Sequence, residues 1–189
     1  MIPSMWRVEL LHPLFVHFPI ALLLVGAALR AVGGHFVRSR AETPVTDFVF
    51  TSSQLMNVIG VSFGWIAYYT GLLAEEEVNS NLCDPTITHL HGDYAFYAMI
   101  VFTIVVVADG FQWVSRWKDL FEPRINRALN SRPYNGLFAL VTVLAAALMG
   151  YVGHLGASLT YQQAAGVYQP SPECTEFAEP PVPTAPQEQ

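Results

Sequence analysis

Charged residues are scarce in this chain. Only 13% of its 189 residues are Asp, Glu, Lys or Arg, whereas 52% are hydrophobic. Soluble domains carry about 25% charged residues, so this composition excludes an ordinary soluble protein and is typical of a membrane protein. The net charge of −6 also makes nucleic acid an unsuitable partner.

Cysteines and catalytic motifs are scarce as well. The chain has two cysteines and no Cys-x-x-Cys-His motif, which excludes covalently attached c-type haem. It also has no Ser-His-Asp order, no phosphate-binding loop and no glycine pattern for nucleotides. We therefore expect an electron-transfer or accessory subunit, and not an enzyme with substrate chemistry of its own.

Long uncharged runs are what the chain has instead. Because about 20 apolar residues cross a bilayer as a helix, these runs predict an all-α, polytopic fold with four transmembrane helices. The expected helices lie near residues 12–33, 52–74, 89–113 and 136–161. Residues 1–167 would form the bundle, with no long internal repeat evident, and the Pro- and Glu-rich residues 168–189 would form a periplasmic tail without a core.

The basic residues predict how the bundle is oriented. Eight of the nine Lys and Arg lie in the connections after helices 1 and 3, whereas the connection between helices 2 and 3 and the tail are acidic. Basic connections remain in the cytoplasm. We therefore expect a multi-pass protein of the bacterial inner membrane, surrounded by lipid, with both termini outside.

On this topology five of the six histidines fall in one layer near the outer face. They are His12, His17, His89, His91 and His154, and only His35 lies on the other side. Histidine inside a membrane segment is costly and often marks a functional site. The layer therefore predicts a bound metal or haem.

Depth suggests which histidines act as ligands. His17 lies about 7–8 Å below His12, and His154 lies about 9 Å below Thr160 at the outer end of helix 4. Two imidazoles at equal depth on separate helices can bind one haem iron from both sides, and small residues beside His154 leave room for the macrocycle. We predict haem b with His17 and His154 as axial ligands, His91 as the substitute for either, and His12 as a further candidate.

Two other interpretations remain open. Small residues at steps of three and four along helices 2 and 4 are also typical of helix packing in membranes. A cofactor-free structural or assembly subunit, with its histidines in interhelical hydrogen bonds, is therefore one alternative. A copper or zinc site formed by His12, His17 and His91, in a copper-handling membrane protein, is the other.

Both cysteines are expected on the outer side. Cys83 lies between helices 2 and 3, and Cys174 lies in the tail. An oxidising compartment favours a disulfide between them, and two separate thiols are the alternative.

Two segments resemble the signatures of a bacterial family of predicted four-helix membrane proteins, domain of unknown function 2231. They are LHPLFVHFPIALL at residues 11–23 and GYVGHLGASLTYQQAAGV at residues 150–167, and the resemblance extends over residues 10–167. In the closing segment Ala157 replaces a glycine, and Gln162 and Gln163 stand where other members carry a histidine.

The resemblance implies the four-helix fold and supports a redox role, since some relatives join this domain to a c-type cytochrome domain. We therefore expect a membrane subunit that binds haem b near the periplasmic face. It would transfer electrons between a periplasmic carrier, such as a c-type cytochrome, and the other subunits of a larger membrane redox complex.

Overall fold

Helices make up nearly all of the described chain. The computed structural model describes residues 8–39, 44–117 and 122–167. The helices are α1 (Val8–Ser39), α2 (Pro44–Val78), α3 (Thr86–Trp117), α4 (Pro123–Leu129) and α5 (Arg132–Gln163), with a 3-10 turn at Asn79–Asn81. α1, α2, α3 and α5 are each long and apolar enough to cross a membrane, which confirms the expected all-α fold with four transmembrane helices.

The helices extend further than the uncharged runs do. α2 has 35 residues and begins at Pro44, eight positions before the expected start. Proline suits the first turn of a helix, because the amide hydrogen it lacks would have no acceptor within the helix. Glu75, Glu76 and Glu77 then continue α2 beyond the apolar run, since glutamate is a good helix former. At about 52 Å, α2 is longer than the roughly 30 Å hydrocarbon core of a bilayer.

The four long helices are arranged around the bundle axis in the order α1, α2, α3, α5. We call the end of the bundle that holds the start of α1 and the end of α5 the terminal end. The connection between α2 and α3 also lies there. The opposite end, with the α1–α2 connection and α4, is the loop end. The expected tail at 168–189 lies outside the described residues.

Glycines allow α1 and α2 to pack closely. A Cβ on Gly60 would lie 2.8 Å from the Leu23 side chain, so a larger residue there would require Leu23 to move. Nearby, the Ser53 hydroxyl donates a hydrogen bond of 2.8 Å to the carbonyl oxygen of Gly26. Small residues of α2 therefore allow close packing against α1, as expected if the small-residue pattern reflects helix packing in membranes.

A buried ion pair joins α1 to α3 in the half of the bundle near the loop end. Arg30 Nη1 lies 2.7 Å from Oδ2 and 2.6 Å from Oδ1 of Asp109. The guanidinium carbon lies 4.6 Å from the centre of the Phe50 ring. Arg30 is one of the eight basic residues that predict the orientation, but it lies within α1 and is 1% exposed. Its charge is therefore neutralised inside the protein.

Candidate functional site: a histidine-lined cavity

A cavity of about 450 Å³ lies among the four long helices at the terminal end of the bundle. Each of these helices contributes to its walls, and the residues that matter most are His12, Gly71, His91 and Gly156. Its volume is within the range that proteins use to bind small molecules and cofactors.

His12 is held against α2. Its Nδ1 donates a hydrogen bond of 2.9 Å to the carbonyl oxygen of Ala67, and the ring packs on Gly71, where a Cβ would lie 3.1 Å from it. Because a carbonyl oxygen only accepts hydrogen bonds, Nδ1 must carry the hydrogen. In the neutral ring, Nε2 then keeps its lone pair for a ligand.

His91 is held against α5 in the same manner. Its Nδ1 donates a hydrogen bond of 3.0 Å to the carbonyl oxygen of Val152. The ring packs on Gly156, where a Cβ would lie 3.1 Å from Cε1. The two histidines thus have the same tautomer and the same type of support.

The two imidazoles are close neighbours across the bundle axis. The centres of the His12 and His91 rings are 6.1 Å apart, and the ring planes differ by 85°. Neither Nε2 has a hydrogen-bond partner among the described residues. Two imidazoles that bind one metal ion from opposite sides have ring centres about 6.3 Å apart, given metal–nitrogen bonds of about 2.0–2.1 Å. The observed separation therefore suits a shared metal.

The hydrogen bonds at Nδ1 fit this chemistry as well. Histidines that bind metals usually donate the hydrogen of the other ring nitrogen to a carbonyl or carboxylate oxygen, which fixes the ring orientation. Both Ala67 and Val152 provide such an oxygen. This support is of the kind that histidine ligands of a metal or haem iron have, in the tautomer that leaves Nε2 for the metal.

His17 and His154, the two histidines expected as axial ligands, are not the two that form the close pair in the cavity. His17 is exposed at the edge of the cavity, and its Nδ1 donates to the carbonyl oxygen of Pro13 in its own helix, at 2.8 Å. His154 is exposed and is not among the residues that line the cavity. The structure therefore brings together His12 and His91, which sequence reasoning gave second place. Equal depth along two helices does not specify the direction in which each side chain points.

His89 lies outside this pair. Its side chain is 66% exposed, and its Nδ1 lies 2.9 Å from Glu75 Oε1. Within the described ranges, no three His, Cys, Asp or Glu side chains form a group that could hold a metal ion. The alternative of a compact site made of His12, His17 and His91 is therefore not formed there.

A second, smaller cavity adjoins the histidine pair on the side away from the terminal end. Its volume is about 50 Å³, and His12, His91, Met99 and Met149 are among its lining residues. Sequence reasoning missed both methionines, because an isolated methionine in an apolar run carries no spacing signal.

The expected disulfide stays a prediction. Cys83 is exposed in the connection between α2 and α3. Cys174 lies outside the described residues.

Comparisons with known proteins agree with this architecture. Searches of curated proteins and of solved structures find no match to the chain. A family model described as "Predicted membrane protein (DUF2231)" matches residues 9–169, a range that includes the membrane-spanning segments and the cavity. The chain therefore belongs to the DUF2231 family of predicted membrane proteins.

Proposed function

We propose that the protein is a membrane electron-transfer subunit in which His12 and His91 bind the iron of one haem b. The observation that carries this proposal is the pair of neighbouring imidazoles, whose ring centres are 6.1 Å apart and whose Nδ1 atoms each donate to a backbone carbonyl oxygen. His12 and His91 take the role that sequence reasoning gave to His17 and His154.

A bound haem would supply a one-electron couple, and the chain would supply the environment that tunes it. His12 and His91 would hold the iron as neutral imidazoles, and the carbonyl oxygens of Ala67 and Val152 keep the rings in place. Apolar walls around the pair limit the access of water and so influence the potential. The protein itself would transform no substrate.

The charge of the terminal end suggests the partner. Exposed carboxylates there include Glu76, Glu77, Asp84 and Asp93. An acidic surface attracts a basic carrier and raises its rate of association. In the bacterial inner membrane, electrons would pass between a periplasmic carrier, such as a c-type cytochrome, and a larger membrane complex.

A visible spectrum of the purified protein tests haem binding. The wild-type protein should show a Soret band and a sharp reduced α-band. His12→Ala and His91→Ala should each lose the low-spin spectrum while the helical content is retained. His154→Ala serves as the matched control, because it also removes a membrane-segment histidine, and it should keep the spectrum. A wild-type protein that stays colourless after incubation with hemin would contradict the proposal.

A copper-handling function is the second candidate, because of the smaller cavity. Met99 and Met149 line it together with His12 and His91, and thioether and imidazole groups suit copper. Metal analysis of protein incubated with Cu(I) would then find one copper per chain and no Soret band. Met149→Leu, which keeps the volume but removes the sulfur, should weaken that binding. A protein that binds neither haem nor copper would be the structural or assembly subunit instead.

A further inference from the structure

The bundle consists of two helical hairpins with corresponding residues. Residues 8–38 of α1 have counterparts 79 positions later in α3, which pairs His12 with His91 and Arg30 with Asp109. Residues 47–78 of α2 have counterparts 85 positions later in α5, which pairs the supporting glycine Gly71 with Gly156. The carbonyl oxygens that accept from the two imidazoles, at positions 67 and 152, correspond in the same way.

Burial follows the same correspondence along the helices. Buried residues of α1 match buried residues of α3: Pro19 with Ala98, Leu23 with Phe102, Gly26 with Val105, and Gly33 with Gln112. Buried residues of α2 match buried residues of α5: Asn57 with Thr142, Gly60 with Ala145, Gly64 with Met149, and Ala74 with Leu159. The two hairpins are therefore related by an approximate two-fold axis that runs along the bundle between the His12 and His91 rings.

The cavity lies on this axis, but its two sides differ. Between α2 and α3, the Tyr68 and Phe96 rings lie 5.8 Å apart, and the Trp65 ring lies 6.1 Å from Phe96. Between α5 and α1, the residues that correspond to Tyr68 and Phe96 are Gly153 and His17. A Cβ on Gly153 would meet nothing within 4 Å. The Tyr68 ring, packed against Phe96, thus lines the cavity on one side, whereas the other side is open.

The histidine pair defines how a flat cofactor would lie between these two sides. The His12 ring rests on α2 and the His91 ring on α5, so the line between the rings joins one hairpin to the other. The plane perpendicular to that line passes between α1 and α5 on one side and between α2 and α3 on the other. A macrocycle that took both imidazoles as ligands would lie near this plane, between the two hairpins.

We infer that the haem ring is displaced toward the α1–α5 side, with one edge beside Gly153 and His17. This inference rests on the proposed haem binding and adds which side of the bundle receives the ring. Gly153, which has no side chain, would leave space for the macrocycle, and His17 would lie next to the edge of the ring. The Tyr68–Phe96 side closes the pocket and limits how far the ring can extend toward it.

Filling the open side tests this inference. Gly153→Tyr introduces the residue that closes the other side, and the surrounding space allows the bundle to fold. Haem occupancy after incubation with hemin should fall at least about tenfold, because the tyrosine takes the volume needed by the ring. Gly153→Ala should keep most of the occupancy. Ala147→Tyr is the matched control, since it adds the same side chain to an exposed site of α5 outside the cavity.

The outcomes separate the two proposals. If the wild-type protein binds haem and Gly153→Tyr binds it equally well, the assignment of the α1–α5 side is overturned and haem binding stands. If Ala147→Tyr loses haem to the same extent, the effect is not local and the assignment is also overturned. If the wild-type protein binds no haem, both proposals are overturned. Circular dichroism of each variant checks that the helices are retained.

Discussion

At the scale of single residues, the ion pair between Arg30 and Asp109 is the most costly feature of the interior. Charged groups inside a membrane segment are tolerated when they pair with each other. Here one amino nitrogen of Arg30 faces both carboxylate oxygens, and the Phe50 ring covers the guanidinium. The pair connects α1 to α3 across the bundle axis. Removal of either partner would leave the other charge buried without a countercharge.

Replacement of one partner should therefore be worse than replacement of both. Asp109→Leu should lower the free energy of unfolding by about 3–5 kcal/mol, because it leaves the buried guanidinium without a countercharge. Arg30→Met with Asp109→Leu should lie within about 1 kcal/mol of the wild type or above it. Denaturant titration of the protein in detergent micelles, followed by circular dichroism, measures both. Equal losses in the single and double variants would contradict this account.

Gly156 should control the position of the His91 ring. Because a Cβ there would lie 3.1 Å from Cε1, Gly156→Ala should push the ring by a few tenths of an ångström and lengthen its bond to Val152. Loss of such support typically weakens metal binding by about 10–100-fold. Hemin titration measures the effect. Gly150→Ala, on the same helix with nothing within 4 Å of the new Cβ, should leave the affinity unchanged.

At the scale of helices, the contact between α1 and α2 depends on the absence of side chains. A Cβ on Gly26 would collide with Asn57 Oδ1 and would lie 3.4 Å from the carbonyl oxygen of Ser53. Asn57 is 0% exposed, so its amide has little space in which to move away. The two helices could accept a larger residue only by separating.

Gly26→Ala should therefore destabilise the bundle, by roughly 1–3 kcal/mol from overpacking. Gly110→Ala is the control, because α3 offers open space at that position and alanine favours a helix over glycine by about 1 kcal/mol. The control should be neutral or slightly stabilising. Midpoints of thermal unfolding in detergent compare the two variants, and a stable Gly26→Ala protein would argue against close α1–α2 packing.

The number and order of the long helices could be predicted from the sequence, whereas their ends could not. Uncharged runs mark the part of a helix that lies in lipid, so charges such as Glu75 end the run without ending the helix. α4 was not expected either, since its seven residues carry no periodic apolar pattern.

At the scale of the whole molecule, the orientation in the membrane stays a prediction with a direct test. Exposed Arg124, Arg127 and Arg132 lie at the loop end, which should face the cytoplasm. In intact cells of a Cys174→Ser variant, which leaves Cys83 as a free thiol, a membrane-impermeant thiol reagent should label Cys83 at the terminal end. With Cys83 and Cys174 both replaced by serine, Arg127→Cys should be labelled only after the cells are permeabilised. The reverse pattern would place the histidine cavity on the cytoplasmic side.

The sequence predicts a cofactor site at this end of the bundle, and the cofactor stays a prediction, but the sequence could not specify which histidines lie together. Five histidines in one layer indicated a cofactor site, because idle histidines are costly in lipid. The choice between His12 and His17 depends on rotation about α1, and only packing against Gly71 settles that rotation. The correspondence between the α1–α2 and α3–α5 hairpins could not be predicted from the sequence either. Apart from pairs such as His12 with His91 and Gly71 with Gly156, many corresponding positions share burial but not residue type, as Arg30 and Asp109 illustrate.

The two-hairpin architecture has a consequence for biogenesis. Each hairpin crosses the membrane twice and contributes one histidine to the His12–His91 pair, so under the proposed haem binding neither half of the chain has both iron ligands. A cofactor that needs both ligands binds only after the halves have met, and its binding energy then favours the assembled state over the separated one. Cofactor binding would thus depend on correct insertion of both hairpins. A chain with one misinserted hairpin would bind no haem, and its two halves would stay loosely associated.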